Sequence, residues 1–283
     1  MATVDFITFL TKNSLGYAQF LRATGEILSS NNHSIKWKCV LSNGAKVVPY
    51  GYDCINVVSF NKSNSSLRHG LTINSILDKI ESEYVIISDA DVAMTYKNWD
   101  EEIIKILDNG YDCFGAENVI KEREHLHFPN VPFFCFKKEV MKKTKMDFTP
   151  IMENNDIKRL IISDPEEAKF YEKSIGERVI FNTGSRLYRS FKEEGLNGKN
   201  LQSVLIHSDK VQLKFKNEEE KEKVLKRNIP MRNLIEFHLD GKVFLTHHGR
   251  SRVKSFKSSK IRNWSDRVRE YINLQYGFEI VDA

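Results

Sequence analysis

The sequence has 283 residues, 41% hydrophobic and 11% aromatic, with charges of both signs interleaved, so it has material for a sizeable core and a disordered chain is excluded. A net charge of +5 over 43 basic residues is too small a surplus for a nucleic-acid footprint, and no window offers the roughly 18 apolar residues that span a bilayer. The leading MATVDFITFL carries an acid within its apolar stretch and no basic leader, so a soluble, cytoplasmic chain is expected.

In chain order, DFITFLT reads as a strand, about Gly16 to Ser30 as a helix, and IKWKCVLS and INVVSF as strands. A helix from about Leu67 to Ile80 leads into the strand YVIIS, which runs onto Asp89. WDEEIIKILDNG reads as a helix stopped by Gly110, YDCFGAE as a strand, and VPFFCFKKEVMKKT as a strand feeding a basic helix. Gly184 to Gly195 forms an amphipathic helix, after which the pattern loosens from Gly198. Asn217 to Arg227 is a charged helix, KVFLTHH a strand, and KIRNWSDRVREYINLQYGF a C-terminal helix. Strands separated by helices predict an α/β fold with a mostly parallel sheet covered on both faces and a ligand site at the strands' C-terminal ends. With no repeat and no low-complexity linker, 1–283 is one domain. Cys39, Cys54, Cys113 and Cys135 lack CxxC spacing and read as buried free thiols in a reducing compartment.

YVIISDADVAM carries the most chemistry. After the buried strand, Asp89 and Asp91 flank the small Ala90, and residues two apart in extended backbone point the same way. Two hard carboxylates facing one ligand suit Mn²⁺ or Mg²⁺, either of which bridges diphosphate oxygens. The plain alternative is a turn or helix cap at Asp89.

The run SSLRHGLTINSILDKIESEYVIISDADV resembles the central block of family 2 and related GT-A glycosyltransferases. Their pattern is an Ala-Arg-Asn-like triplet, a helix, a Glu-Tyr-hydrophobic strand and Asp-x-Asp. Thr72, Ile73 and Asn74 occupy the triplet, Glu83 and Tyr84 open the strand, and Asp89 follows Asn74 by fifteen positions. Ile73 replaces the usual Arg, leaving Arg68 as a candidate substitute. The resemblance implies a GT-A (Rossmann-like) fold and a nucleotide-sugar donor, UDP-sugar favoured, in a donor half over 1–120. An acceptor half with a helical extension occupies 121–283, and the acceptor would be a glycan, glycolipid or glycoprotein. Donor contacts then map onto Thr8, Thr11 and Asn13 after the first strand, Arg68, Asn74, Asp89 and Ala90. Asn43 stands where the family often carries a base-contacting Asp, with a simple SNG turn as the alternative.

The same resemblance implies a late histidine completing the metal shell, here His247 or His248 in FLTHHGRSR, with His248 slightly preferred for its neighbour Gly249. Only one of the two faces inward, because adjacent strand residues point oppositely. Arg250 and Arg252 could clamp a diphosphate. FNTGSRLYRSFKEEG resembles the Asp-Thr-Gly start of the acceptor helix, but Asn182 stands at the Asp and an amide cannot act as a base. Catalytic candidates are therefore Asp91, Asp156 and Glu177, with Asp164 and Glu117 in reserve, the alternative being a retaining enzyme in which a donor phosphate oxygen takes that role. His125 and His127 read as loop chemistry rather than metal ligands. Trp99 and Trp264 read as packing residues, and the basic face of Arg262, Arg267 and Arg269 as solvated rather than membrane-bound. A nucleotidyltransferase is disfavoured by the absence of a Gly-rich, Arg- and Lys-bearing loop after the first strand. Asn182 keeps a noncatalytic nucleotide- or glycan-binding module in play.

Overall fold

The structure is a computed structural model that describes residues 1–42, 44–57, 60, 65–117, 128–150, 183–205, 235–248 and 259–280. Strand β1 (Thr3–Leu10) is buried along nearly its whole length, as a strand covered on both faces must be. It turns through Thr11 to Ser14, where the Thr11 amide donates to Ser14 Oγ at 2.7 Å and the Ser14 amide returns to Thr11 O at 3.0 Å. Helix α1 (Leu15–Leu28) follows and buries Tyr17, Phe20, Leu21 and Leu28. Next come β2 (Ser34–Leu41), a two-residue β3 (Asp53–Cys54) and α2 (Ser65–Asn74), then a 3₁₀ turn over Leu77–Lys79. Strand β4 (Tyr84–Asp89) reverses through Ala90 and Asp91 into β5 (Val92–Met94), before α3 (Trp99–Asp108) and β6 (Cys113–Ala116). Strand β7 (Asn130–Lys137), α4 (Val140–Lys143), α5 (Leu187–Glu193) and β8 (Gly198–Leu205) lead to the hairpin of β9 (Ile235–Leu239) and β10 (Lys242–His247), and α6 (Ser259–Tyr276) closes the described chain.

The ten strands among the described residues form one sheet in the order β3-β2-β1-β4-β7-β6-β8-β9-β10-β5. The core from β3 to β4 is parallel, as expected of strands joined by helices. Beyond β4 the sheet is mixed, with β6 and β8 parallel and the remaining pairs antiparallel. Alternation along β1 divides the core between the two faces. Val4, Phe6 and Leu10 pack with α1, α3 and α6, while Ile7 and Phe9 pack with Ile73 of α2, Val140 of α4 and Phe191 of α5. No helix among the described residues is long and apolar enough to cross a membrane.

Several expectations need correction. The strand expected over INVVSF is not found at Ile55 to Val57, and the short β3 at Asp53–Cys54 lies just before it. The helix expected to reach Ile80 stops at Asn74, and only the 3₁₀ turn continues. The region read as irregular after Gly198 contains β8, and the late hairpin includes the unforeseen β9. Three cysteines are buried free thiols, but Cys54 is exposed because it lies on the edge strand. The charged helix expected over Asn217 to Arg227 lies outside the described residues.

Candidate metal centre

The acidic pair sits where the parallel core ends. Asp89 is the last residue of β4 and stands in register with Phe9 of β1, so its carboxylate emerges at the strands' C-terminal edge. Its side chain keeps 30% exposure, whereas Asp91, past the reversal, keeps 4%. Ala90 between them is buried in the core.

The histidine arrives from the far end of the chain. β10 pairs antiparallel with β5, placing His247 opposite Val92, and the His248 amide donates to Asp91 O at 2.9 Å. His247 Nε2 then lies 3.4 Å from Asp91 Oδ1 and 3.7 Å from Asp89 Oδ2. One ligand atom from each of Asp89, Asp91 and His247 falls within 4.8 Å of the others, a group able to hold a metal ion. Two carboxylate oxygens and one imidazole nitrogen suit Mn²⁺ or Mg²⁺ better than a soft-metal site.

The electrostatics agree with that donor set. Burial pushes the His247 pKa down, but the charge of Asp91, its hydrogen bond and the charge of Asp89 outweigh burial and raise it above the ordinary histidine value. Two carboxylates this close to one another favour a cation between them, and a bound divalent ion meets that demand more fully than a proton.

His248 does not join the group. Adjacent residues at a strand end face opposite ways, and its ring turns into the core, 5.9 Å from the Tyr17 ring and 5.4 Å from Trp264, with Nδ1 3.4 Å from Tyr17 Oη. The preference for His248 is corrected to His247.

The other expected donor contacts are dispersed. Thr8 is fully buried in β1 and belongs to the strand core rather than to a cleft surface. Thr11 borders a cleft of about 460 Å³ with Leu10, Lys12, Leu15 and the chain from Gly44 to Val47. Asn13 lies half-buried in the turn beside it. Asn74 uses both ends of its amide on a neighbouring segment, Nδ2 donating to Asp147 Oδ1 at 2.8 Å and Oδ1 accepting from the Phe148 amide at 2.9 Å. Ile73 is fully buried against the sheet, which explains why this register holds no arginine; Arg68, one turn earlier on α2, is half-buried. Glu117 is buried at the end of β6, where one carboxylate oxygen accepts from the Ser203 amide at 2.8 Å and hydroxyl at 3.1 Å. Asn43, Asp156, Asp164, Glu177, Asn182, Arg250 and Arg252, and the loop bearing His125 and His127, lie outside the described residues.

Two features escaped the sequence reading. His69 of α2 brings Nε2 to 3.8 Å from Asp89 Oδ1. Its signal was positional: it precedes the core residue Ile73 by one turn and so shares that helix face. The cleft also carries two lysines, Lys12 and Lys46, on otherwise apolar walls. Trp99 and Trp264, by contrast, are buried packing residues as expected, their indole N–H groups donating to Gly25 O and Thr246 Oγ1.

No protein-family model and no curated protein matches the sequence. Among solved structures, the chain is similar to the galactosyltransferase LgtC in complex with donor and acceptor sugar analogues, at 10% identity over 95% of each chain with a TM-score of 0.49. It is also similar to the mannosyltransferase PcManGT from Pyrobaculum calidifontis in complex with GDP-Man and Mn²⁺. That likeness has 12% identity over 50% of this chain and 46% of the other, with a TM-score of 0.36. Likenesses this distant leave the functional assignment to the chain's own residues.

Proposed function

We propose that this chain is a metal-dependent glycosyltransferase of the GT-A type, related to family 2, that moves a sugar from a nucleoside-diphosphate sugar to a hydroxyl group. The observation that carries the reading is the convergence of Asp89, Asp91 and His247 at the C-terminal edge of a parallel sheet, where ligands of such sheets bind. A UDP-sugar is the favoured donor, and a glycan, glycolipid or glycoprotein the acceptor.

Asp89, Asp91 and His247 would hold Mn²⁺ or Mg²⁺, which when bound neutralises charge developing on a diphosphate leaving group. The chain's own residues supply the rest of the donor site. Leu10, Leu15, Ala45 and Val47 give the nearby cleft apolar walls suited to a flat nucleobase, and Lys12 and Lys46 add positive charge for phosphate. Thr11 lines it, Asn13 lies in the turn that follows Thr11, Arg68 lies on α2 next to His69, and all three, with Asn43, remain candidate donor contacts. In this division 1–120 forms the donor half and 121–283 the acceptor half. Arg250 and Arg252, which follow His248 directly, are assigned to the diphosphate, and Asp156 and Glu177 remain the candidates for accepting the acceptor's proton. The reading is compatible with a chain that works in the cytoplasm.

Thermal unfolding and calorimetry with UDP, GDP and CDP, each with and without Mn²⁺, test this reading. Metal-dependent stabilisation by one of them, UDP first, is expected, approaching about 2.7 kcal/mol at a hundredfold excess over Kd. Hydrolysis of the matching nucleotide sugar would then separate an enzyme from a binding module. No response to any nucleotide with metal would overturn the proposal.

A further inference from the structure

Asp89 is the less constrained member of the acidic pair. Asp91 is fixed by burial, whereas Asp89 stands at a strand end with 30% of its side chain exposed, and the terminal torsion of an aspartate is broad. Its two oxygens meet two imidazoles from distant parts of the chain. Oδ2 faces His247 at 3.7 Å, and Oδ1 faces His69 at 3.8 Å.

His69 is itself held firmly. Its ring packs edge-on against Phe9, with centroids 4.9 Å apart, and Phe9 is the register partner of Asp89. Helix α2 is pinned just beyond this contact. At Gly70 a Cβ would lie 2.3 Å from Phe148 O, so glycine lets that backbone approach the helix closely, and Asn74 bonds to Asp147 and Phe148 one turn later. His69 thus presents Nε2 to Asp89 from a rigid support, and a small rotation of the Asp89 carboxylate closes 3.8 Å to hydrogen-bond distance.

We propose that His69 is a positioning residue for the metal centre: its Nε2–H donates to Asp89 Oδ1 and turns Oδ2 toward the cation shared with Asp91 and His247. The inference rests on reading those three residues as a metal site. A neutral imidazole donating to a ligating carboxylate restricts its orientation, and losing such a partner typically lowers metal affinity by about 10–100-fold.

The test compares His69→Leu, which removes the donor, with His69→Gln, which retains an N–H donor on a side chain of similar reach. Mn²⁺ affinity is measured on the full chain without nucleotide by electron paramagnetic resonance, and the visible spectrum of the Co²⁺-loaded protein reports coordination. The expected result is a roughly 10–100-fold weaker affinity in His69→Leu, recovery of most of it in His69→Gln, and Co²⁺ spectra that match wild type at saturating metal. Equal affinity in all three proteins would overturn the positioning role while leaving the metal centre standing. A Co²⁺ spectrum changed in both variants would make His69 a ligand and overturn it as well. If wild type binds no Mn²⁺, the metal centre itself fails and the inference falls with it. Should His69→Leu not fold, His69→Asn replaces it, because its shorter amide keeps polarity but loses reach. Asn and Gln variants of equal affinity would then count against the proposal.

Discussion

The two sides of the sheet are built on different principles. From β3 to β4 every pairing is parallel: β1 reaches β2 through the single helix α1, and β4 returns beside β1 after β2, β3 and α2. From β8 to β5 every pairing is antiparallel, and the contact of β10 with β5 spans about half of the chain: Thr95 Oγ1 donates to Val243 O across 148 residues. The acidic pair is therefore a local product of the first region. The histidine facing it is imported by the second. A centre assembled in this way depends on docking of the late hairpin and of α6 behind it, and each of the following substitutions loads one side of that division.

The largest effect is expected at Trp264, the residue that joins the regions. Its indole, 4% exposed, lies against Tyr17 and Phe20 of α1 and against His248, while its N–H donates to Thr246 on β10 at 3.1 Å. Trp264→Ala leaves a cavity and should cost about 3–5 kcal/mol, read as a lower urea midpoint. If the early region, whose strands all precede Ala90, is self-sufficient, unfolding of this variant becomes biphasic, with the hairpin side melting first. A single transition would show that the two regions stand or fall together.

The adjacent histidines divide the comparison further, since they share a strand end and face opposite ways. His247→Ala removes a metal ligand and should weaken Mn²⁺ binding by roughly a hundredfold or more, at or above the scale for losing a supporting partner. His248→Ala should leave Mn²⁺ affinity within a few-fold of wild type and lower stability by roughly 1–3 kcal/mol through lost packing on Tyr17 and Trp264. Equal losses of metal affinity in the two variants would show that the strand end, rather than the His247 ring, matters.

This division also marks what could be read from the sequence. The buried run Val85 to Ser88 closing on Asp89 and Asp91 is a pattern within one strand, and period-two geometry alone places both carboxylates at its end. Choosing His247 over His248 required knowing that β10 pairs with β5 in a register that sets His247 opposite Val92, which no local pattern encodes. The β9–β10 hairpin was legible in principle: Asp240 and Gly241 form a two-residue turn with both φ positive, 49° and 80°, the backbone for which Asp-Gly is suited. That signal was masked by the weak alternation of Ile235 to Leu239, which is only partly buried. Asn74 was misleading for a different reason. Its family-like spacing from Asp89 is real, but tertiary contacts engage its amide with Asp147 and Phe148.

An effect of the same order as that at His248 is expected at the opposite end of the parallel region, where Asp5 ties β1 to β2 and to the entry of β4. Burial by itself would raise the Asp5 pKa. Donation from the Ser82 hydroxyl at 2.8 Å, from Lys38 Nζ at 3.0 Å and from the Ser82 and Glu81 amides outweighs burial and holds the carboxyl below its ordinary value. A depressed folded pKa makes the contribution complete above the unfolded value of about 4, and the contribution is lost as pH falls through the lower, folded value. Asp5→Asn should therefore cost about 1.5–3 kcal/mol at neutral pH, the range for hydrogen bonds to a charged group. The gap to wild type should then narrow as pH falls below about 4. Urea midpoints of both proteins from neutral to strongly acid pH measure this directly. A gap that stays constant across the acid range would mean that Asp5 does not set the acid limit of the parallel region, and that its four donors act on shape rather than on charge.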